Sequence, residues 1–185
     1  MKRTFKIHPI YYLIAFITIF TGKFKDFTLI TLIIFIHELG HISAAIYYKW
    51  KIEKIVILPF GGITIFNEYL NRPIKEELII AIAGPIYQII FYYLVSFLNL
   101  KTTLFSSNHY ALLLFNLLPI IPLDGSKIFS LLLEKYLPYK LSNFLTLIIS
   151  FLILFILGVI LIINKNLLMI IILFFILIKL ITQIK

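Results

Sequence analysis

Phe35-Ile36-His37-Glu38-Leu39-Gly40-His41 lies within an apolar run, Phe27 to Tyr48, that carries no other charged side chain. A charged or strongly polar side chain at membrane depth costs roughly 2.5–3.5 kcal/mol on insertion scales. Three such residues within five positions call for a compensating partner, and the H-E-x-x-H spacing points to a metal ion. On a helix, residues i and i+4 stand on one face. His37 and His41 can therefore share a Zn²⁺, with Glu38 beside it as general base. Such a pair is incomplete without a third ligand.

The surrounding chain is suited to a membrane. Of its 185 residues, 62% are hydrophobic and 14% charged, with a mean hydropathy of +1.07. Soluble domains run about 45–50% apolar and ~25% charged, so the excess is too large for a core alone. At about 20 residues per spanning helix, this length holds six spans with short loops and no separate soluble domain. Cysteine is absent, so any metal must take His, Asp or Glu. The net charge of +9 sits in the loops. There it reports topology rather than nucleic-acid binding. The basic start, Met1 to Lys6, precedes an apolar run with no small-residue cleavage site, which reads as a retained helix rather than a removed signal peptide.

Six apolar runs follow, at approximately 8–21, 27–48, 78–98, 109–133, 141–163 and 167–184. Between the second and third, Ile52 to Asn67 is β-branched, partly alternating, and broken by Pro59 and Gly61-Gly62. It predicts a hairpin of two short strands rather than a span. Ala81, Ala83 and Gly84, with Pro85 beside them, allow the third span to approach a neighbouring helix closely. The fourth run is interrupted by Asn116-Leu117-Leu118-Pro119-Ile120-Ile121-Pro122-Leu123-Asp124-Gly125. Non-helical backbone at membrane depth survives only inside protein or beside a water-filled cavity. The fold class is thus all-α and polytopic, with a short membrane-associated β-hairpin and the whole of 1–185 as one membrane-embedded domain. His8 and His109, at helix starts, read as interfacial residues, and Lys127 as a chain snorkelling to the surface.

With the N-terminus inside, thirteen Lys and Arg residues fall in or beside inner loops and four in outer ones. That bias puts both termini in the cytoplasm. Spans two and four then run in the same direction. At 1.5 Å per residue, His41 lies about 20 Å along its span and Asp124 about 22 Å along its own. Both fall in the cytoplasmic half. Asp124 is the one other carboxylate inside an apolar run besides Glu38, which makes it the natural third ligand, leaving the fourth position of the zinc for water.

The chain resembles the site-2 protease family of intramembrane zinc metalloproteases (peptidase family M50), and within it the stage IV sporulation protein FB branch. The resemblance runs in order through Lys6-Ile7-His8-Pro9, His37 to His41, Leu58-Pro59-Phe60-Gly61-Gly62, Asn71 to Glu77, Ala83-Gly84-Pro85 and Asn116 to Gly125. It implies one Zn²⁺ per chain, held by His37, His41 and Asp124, with Glu38 as general base. Asn116 matches the asparagine thought to hold the substrate or its developing oxyanion. Phe60, Gly61 and Gly62 match the element proposed to dock the substrate as an added strand.

The resemblance further implies hydrolysis of a membrane-associated protein near the cytoplasmic face of a bacterial cell membrane. Candidate substrates are a sporulation sigma-factor precursor and an anti-sigma or signalling protein, and both an inhibitory membrane partner and an oligomer are compatible with the chain. Three departures from the family pattern stand out: Asp124-Gly125-Ser126 in place of Asp-Gly-Gly, Gln88 in place of the usual asparagine, and no C-terminal CBS domain before Lys185.

Two other classes compete with a protease. A membrane metal transporter would repeat ligands across several helices and carry an internal repeat, and neither is apparent in the sequence. A catalytically inactive metal-binding scaffold would have no need of an intact H-E-x-x-H.

Overall fold

The structure, a computed structural model, describes residues 4–7, 9–58, 61–66 and 72–163, with 173, 176–178 and 180 further on. It is mostly helical. The elements are β1 (Thr4–Ile7), α1 (Pro9–Phe20), α2 (Phe24–Tyr47), β2 (Ile52–Leu58), β3 (Gly61–Phe66), α3 (Ile74–Phe97), α4 (Thr103–Asn116), α5 (Asp124–Leu133) and α6 (Tyr139–Ile163). The chain divides into two compact units, Met1–Asn116 and Leu117–Lys185.

Among the described residues, α2, α3 and α6 are long and apolar enough to cross a membrane. They have 24, 24 and 25 residues. At 1.5 Å per residue each exceeds the roughly 30 Å hydrocarbon core. The expected run 8–21 forms the shorter helix α1, of 12 residues. The run 109–133 is split, as its prolines predict: α4 ends at Asn116 and α5 starts at Asp124. α4 also begins at Thr103, six residues before the apolar run does. The run 167–184 falls largely outside the described residues.

In the first unit α2 packs chiefly along α3. Glycine makes that closeness feasible. A methyl group on Gly40 would overlap the Ala83 carbonyl and lie 2.9 Å from Gly84 Cα, so the two backbones are nearly in contact. Ile33 and Ile34 of α2, Tyr92 of α3 and Phe105 and Leu112 of α4 form one apolar cluster. Ala45, Trp50, Ile52 and Ile80 form a second, where α2 hands over to the sheet. α1, α2 and α3 end alike, on residues with positive φ: Gly22, Lys49 and Asn99. After each, two amides bond back into the last turn, as Lys49 N to Ile46 O and Trp50 N to Ala45 O do at 3.0 and 2.8 Å. This Schellman closure satisfies carbonyls that a helix end leaves exposed.

The predicted hairpin is present, with β2 and β3 antiparallel from Leu58↔Gly61 to Ile52↔Phe66. The sheet has a third strand that the sequence reading did not foresee. β1, at the basic N-terminus, pairs parallel to β2 from Thr4↔Lys54 to Ile7↔Ile57, giving the order β1-β2-β3. A parallel pair needs a long crossover, and here α1 and α2 supply it. Thr4-Phe5-Lys6-Ile7 alternates polar and apolar, but four residues are too short a run to announce a strand; the partner made the strand.

The second unit is held by hydroxyls. Ser142, Thr146 and Ser150 recur every four residues on α6 and are all buried. Ser142 donates to the Ser130 carbonyl of α5 at 2.7 Å. Ser150 Oγ accepts the Ile121 N–H at 3.1 Å and lies 3.2 Å from the Pro119 carbonyl. It thereby ties down the non-helical segment before Asp124, whose amides find little local secondary structure. Gly125 allows that segment to fold back, because a side chain there would overlap the Leu117 and Leu118 carbonyls. Ser150→Ala is expected to lower stability by about 1–3 kcal/mol, the usual cost of stranding a buried donor. An unchanged thermal unfolding midpoint in detergent would contradict that role.

Candidate metal centre

α2 carries the motif on its buried face. His37, Glu38 and His41 are 2%, 6% and 7% exposed. One ligand atom from each lies within 4.8 Å of the other two, which makes them a group able to hold a metal ion. The i, i+4 spacing sets the imidazoles on successive turns, with ring centroids 4.9 Å apart. Their Nε2 atoms are 3.1 Å apart.

The hydrogen-bond partners decide what those two nitrogens are. His41 Nδ1 lies 2.7 Å from the Ile80 carbonyl of α3. A carbonyl only accepts, so Nδ1 carries the proton and Nε2 the lone pair. His37 Nδ1 lies 3.0 Å from Gln88 Oε1, and Gln88 Nε2 donates to the His109 carbonyl of α4 at 2.9 Å. The same logic leaves the lone pair of His37 on Nε2. Two lone pairs thus face each other at 3.1 Å in a desolvated place. That arrangement repels unless a cation or a proton sits between them. A carbonyl or amide behind each ring is also the usual support of a metal-bound histidine.

Gly84 completes the cradle from α3. A methyl group there would overlap His41 Nε2 and Cε1 and come within 2.8 Å of His37 Nε2. The two rings can therefore stand here because residue 84 has no side chain. Glu38 accepts a long hydrogen bond, 3.4 Å, from the Thr64 hydroxyl of β3. The sheet thus reaches the carboxylate.

The other anticipated site residues are distributed as follows. Asn116 is buried at the last residue of α4, in the first unit. Asp124 is half-buried at the first residue of α5, in the second unit. Gly61 and Gly62 open β3 opposite Leu58 and Ile57, while Phe60 and His8 lie outside the described residues. His109 is not the interfacial residue expected from its place near a helix start. It is 1% exposed and stacked on Tyr92, with centroids 4.4 Å apart, because α4 begins six residues earlier and carries it a turn and a half inside.

Sequence reasoning also missed the carbonyls of Ile80 and His109, which no side-chain pattern reveals. Gln88 was visible only as a departure from a family pattern. An uncharged amide in an otherwise apolar helix is nonetheless a signal, since it is costly to bury without partners.

Comparison with known proteins accords with this geometry. Residues 27–108, which hold the motif, Gly84 and Gln88, match the family described as peptidase family M50. Stage IV sporulation protein FB of Bacillus subtilis is 39% identical over 148 residues, covering 76% of this chain and 51% of its own length. The chain is a relative of the site-2 proteases. A zinc metalloprotease of Methanocaldococcus jannaschii is 34% identical over 131 residues, or 63% of this chain and 37% of that protein. Among solved structures, a site-2 protease from Methanocaldococcus jannaschii superposes with a TM-score of 0.75 at 26% identity, covering 95% of this chain and 88% of that one. The chain spans about half the length of the sporulation protein and less of the archaeal metalloprotease. Like these relatives, it is an integral membrane protein.

Gly84→Ala is expected to abolish metal retention while leaving the helices intact. Metal content of the purified variant at wild-type level, with normal circular dichroism, would refute the cradle.

Proposed function

We propose that this chain is an intramembrane zinc metalloprotease that cuts a membrane-associated protein near the cytoplasmic face. The observation that carries the proposal is the buried group of His37, Glu38 and His41, with the two Nε2 atoms turned towards each other and each Nδ1 on an acceptor of α3. In this reading His37, His41 and Asp124 hold one zinc ion, a His₂-carboxylate set that leaves a fourth position for water. Asp124 is supported by its chemistry and place in the sequence: a carboxylate in an apolar run, where the helix is broken and α5 begins. In this reading the apolar runs make six spans, the charge bias of the loops puts both termini in the cytoplasm, and the family resemblance makes the membrane a bacterial one.

When bound, zinc lowers the pKa of a coordinated water towards ~7 and polarises the scissile carbonyl. Glu38 takes the proton of the attacking water and delivers it to the leaving amine. Its burial keeps bulk water from competing for that proton. Asn116 donates to the oxyanion that forms on the scissile carbonyl; one such donor is typically worth ~10²–10³ in rate. The substrate backbone must be extended to be attacked, since a helix shields its own peptide bonds. Both edges of β2 are occupied, so an added strand can pair only with β1 or β3. Thr64, reaching Glu38 from β3, favours β3 as the edge on which the substrate lies. A sporulation sigma-factor precursor is the candidate substrate that the family resemblance implies.

Co-expression with a membrane-tethered reporter tests the base. Glu38→Gln is expected to retain zinc and lose cleavage by at least ~10²-fold, within the range of general-base contributions. Equal cleavage by both proteins would remove Glu38 from the role. Asp124→Ala should reduce zinc stoichiometry and activity together, and unchanged values for both would exclude it as a ligand.

A further inference from the structure

Gln88 joins three helices within the centre. It belongs to α3, faces His37 of α2 and reaches the backbone of α4 at His109. It is fully buried. We propose that Gln88 is the positioning residue that sets the tautomer of His37, and that its bond to the His109 carbonyl is what makes the setting unambiguous.

A primary amide offers either a donor or an acceptor to a histidine, and on its own it would leave the tautomer undecided. The His109 carbonyl removes that freedom. A backbone oxygen can only accept, and one held in a helix cannot turn away, so Nε2 of Gln88 is committed to it at 2.9 Å. Oε1 must then face His37 Nδ1, at 3.0 Å. The ring responds by carrying its proton on Nδ1, and its Nε2 lone pair is presented towards His41.

The two halves of the pair are therefore held differently. His41 Nδ1 faces main chain, the Ile80 carbonyl, which a side-chain substitution at residue 80 does not remove. His37 Nδ1 faces a side chain, the Gln88 amide. The amide spans from α3 to two other helices at once. The bulk of the Tyr92–His109 stack, one turn further along α3, keeps the carbonyl of His109 in place.

This inference rests on the reading that His37 and His41 hold the metal, and the test separates the two. The ring nitrogens of the four histidines are followed by ¹⁵N NMR in the metal-free wild type, Gln88→Met and Gln88→Glu. Zinc affinity is measured by competition with a chelator. In the wild type both His37 and His41 are expected to be protonated at Nδ1. Gln88→Met should let His37 populate both tautomers, leave the proton of His41 on Nδ1, and weaken zinc by 10–100-fold, the range for losing an outer-shell partner. Gln88→Glu, which keeps an acceptor for His37, should bind zinc more tightly than Gln88→Met.

A wild-type His37 protonated at Nε2 overturns the inference, and that spectrum decides the matter even if a variant does not fold. So does a folded Gln88→Met that binds zinc as tightly as the wild type, or one in which His41 too moves its proton off Nδ1. If the wild-type tautomers are as expected and the protein binds no zinc at any concentration tested, the metal assignment fails while the role of Gln88 stands.

Discussion

Two imidazoles brought Nε2 to Nε2 in a buried site must be held there by the groups around them. The approach of His37 and His41 to 3.1 Å is the contact that the neighbouring helix α3 fixes. Each ring is fixed from behind by a group on α3, the Ile80 carbonyl or the Gln88 amide. Each is thereby prevented from rotating to relieve the contact. Such preorganisation lets a cation bind without first reorienting its ligands, which is where much of the cost of assembling a metal site would otherwise lie.

The tight packing of α2 on α3 follows from the same requirement. Ile80 can reach His41 only if the helices lie nearly backbone to backbone, and Gly40 against Ala83 and Gly84 makes that approach feasible. One glycine does both jobs at position 84: it lets α2 close in, and it leaves room for the two imidazole rings. In a membrane, where lipid tails are as apolar as leucine, such close contact of small residues is a principal source of helix association. Helix pairing and the shaping of the centre are thus one event.

The sheet adds a polar surface at the edge of this helical frame. Its strands come from both sides of the α1–α2 pair in sequence, and β3 stands next to α2 with Thr64 on Glu38. An edge strand beside a general base offers main-chain hydrogen bonds to any extended chain, largely independent of side-chain sequence. Selectivity would then rest on which substrates can be unwound and presented, rather than on a deep side-chain pocket.

Much of this was legible in the residues themselves. Three polar groups in an apolar run had to mean chemistry, because hydrocarbon does not tolerate them idle. The i, i+4 histidines, the broken segment before Asp124, the β2–β3 hairpin and the close-packing Ala83-Gly84 all have local causes in spacing, proline, β-branching or size. What tertiary structure alone decided concerns main chain and partners far apart in sequence. β1 is a strand only because β2 lies beside it. His109 is buried because α4 starts earlier than its hydropathy suggests, on polar residues whose helical turn is secured by packing. The tautomers of His37 and His41 are set by the carbonyls of Ile80 and His109, groups that every residue possesses. No side-chain pattern can mark a carbonyl out; only the folded path of the chain brings one within 3 Å of a particular nitrogen.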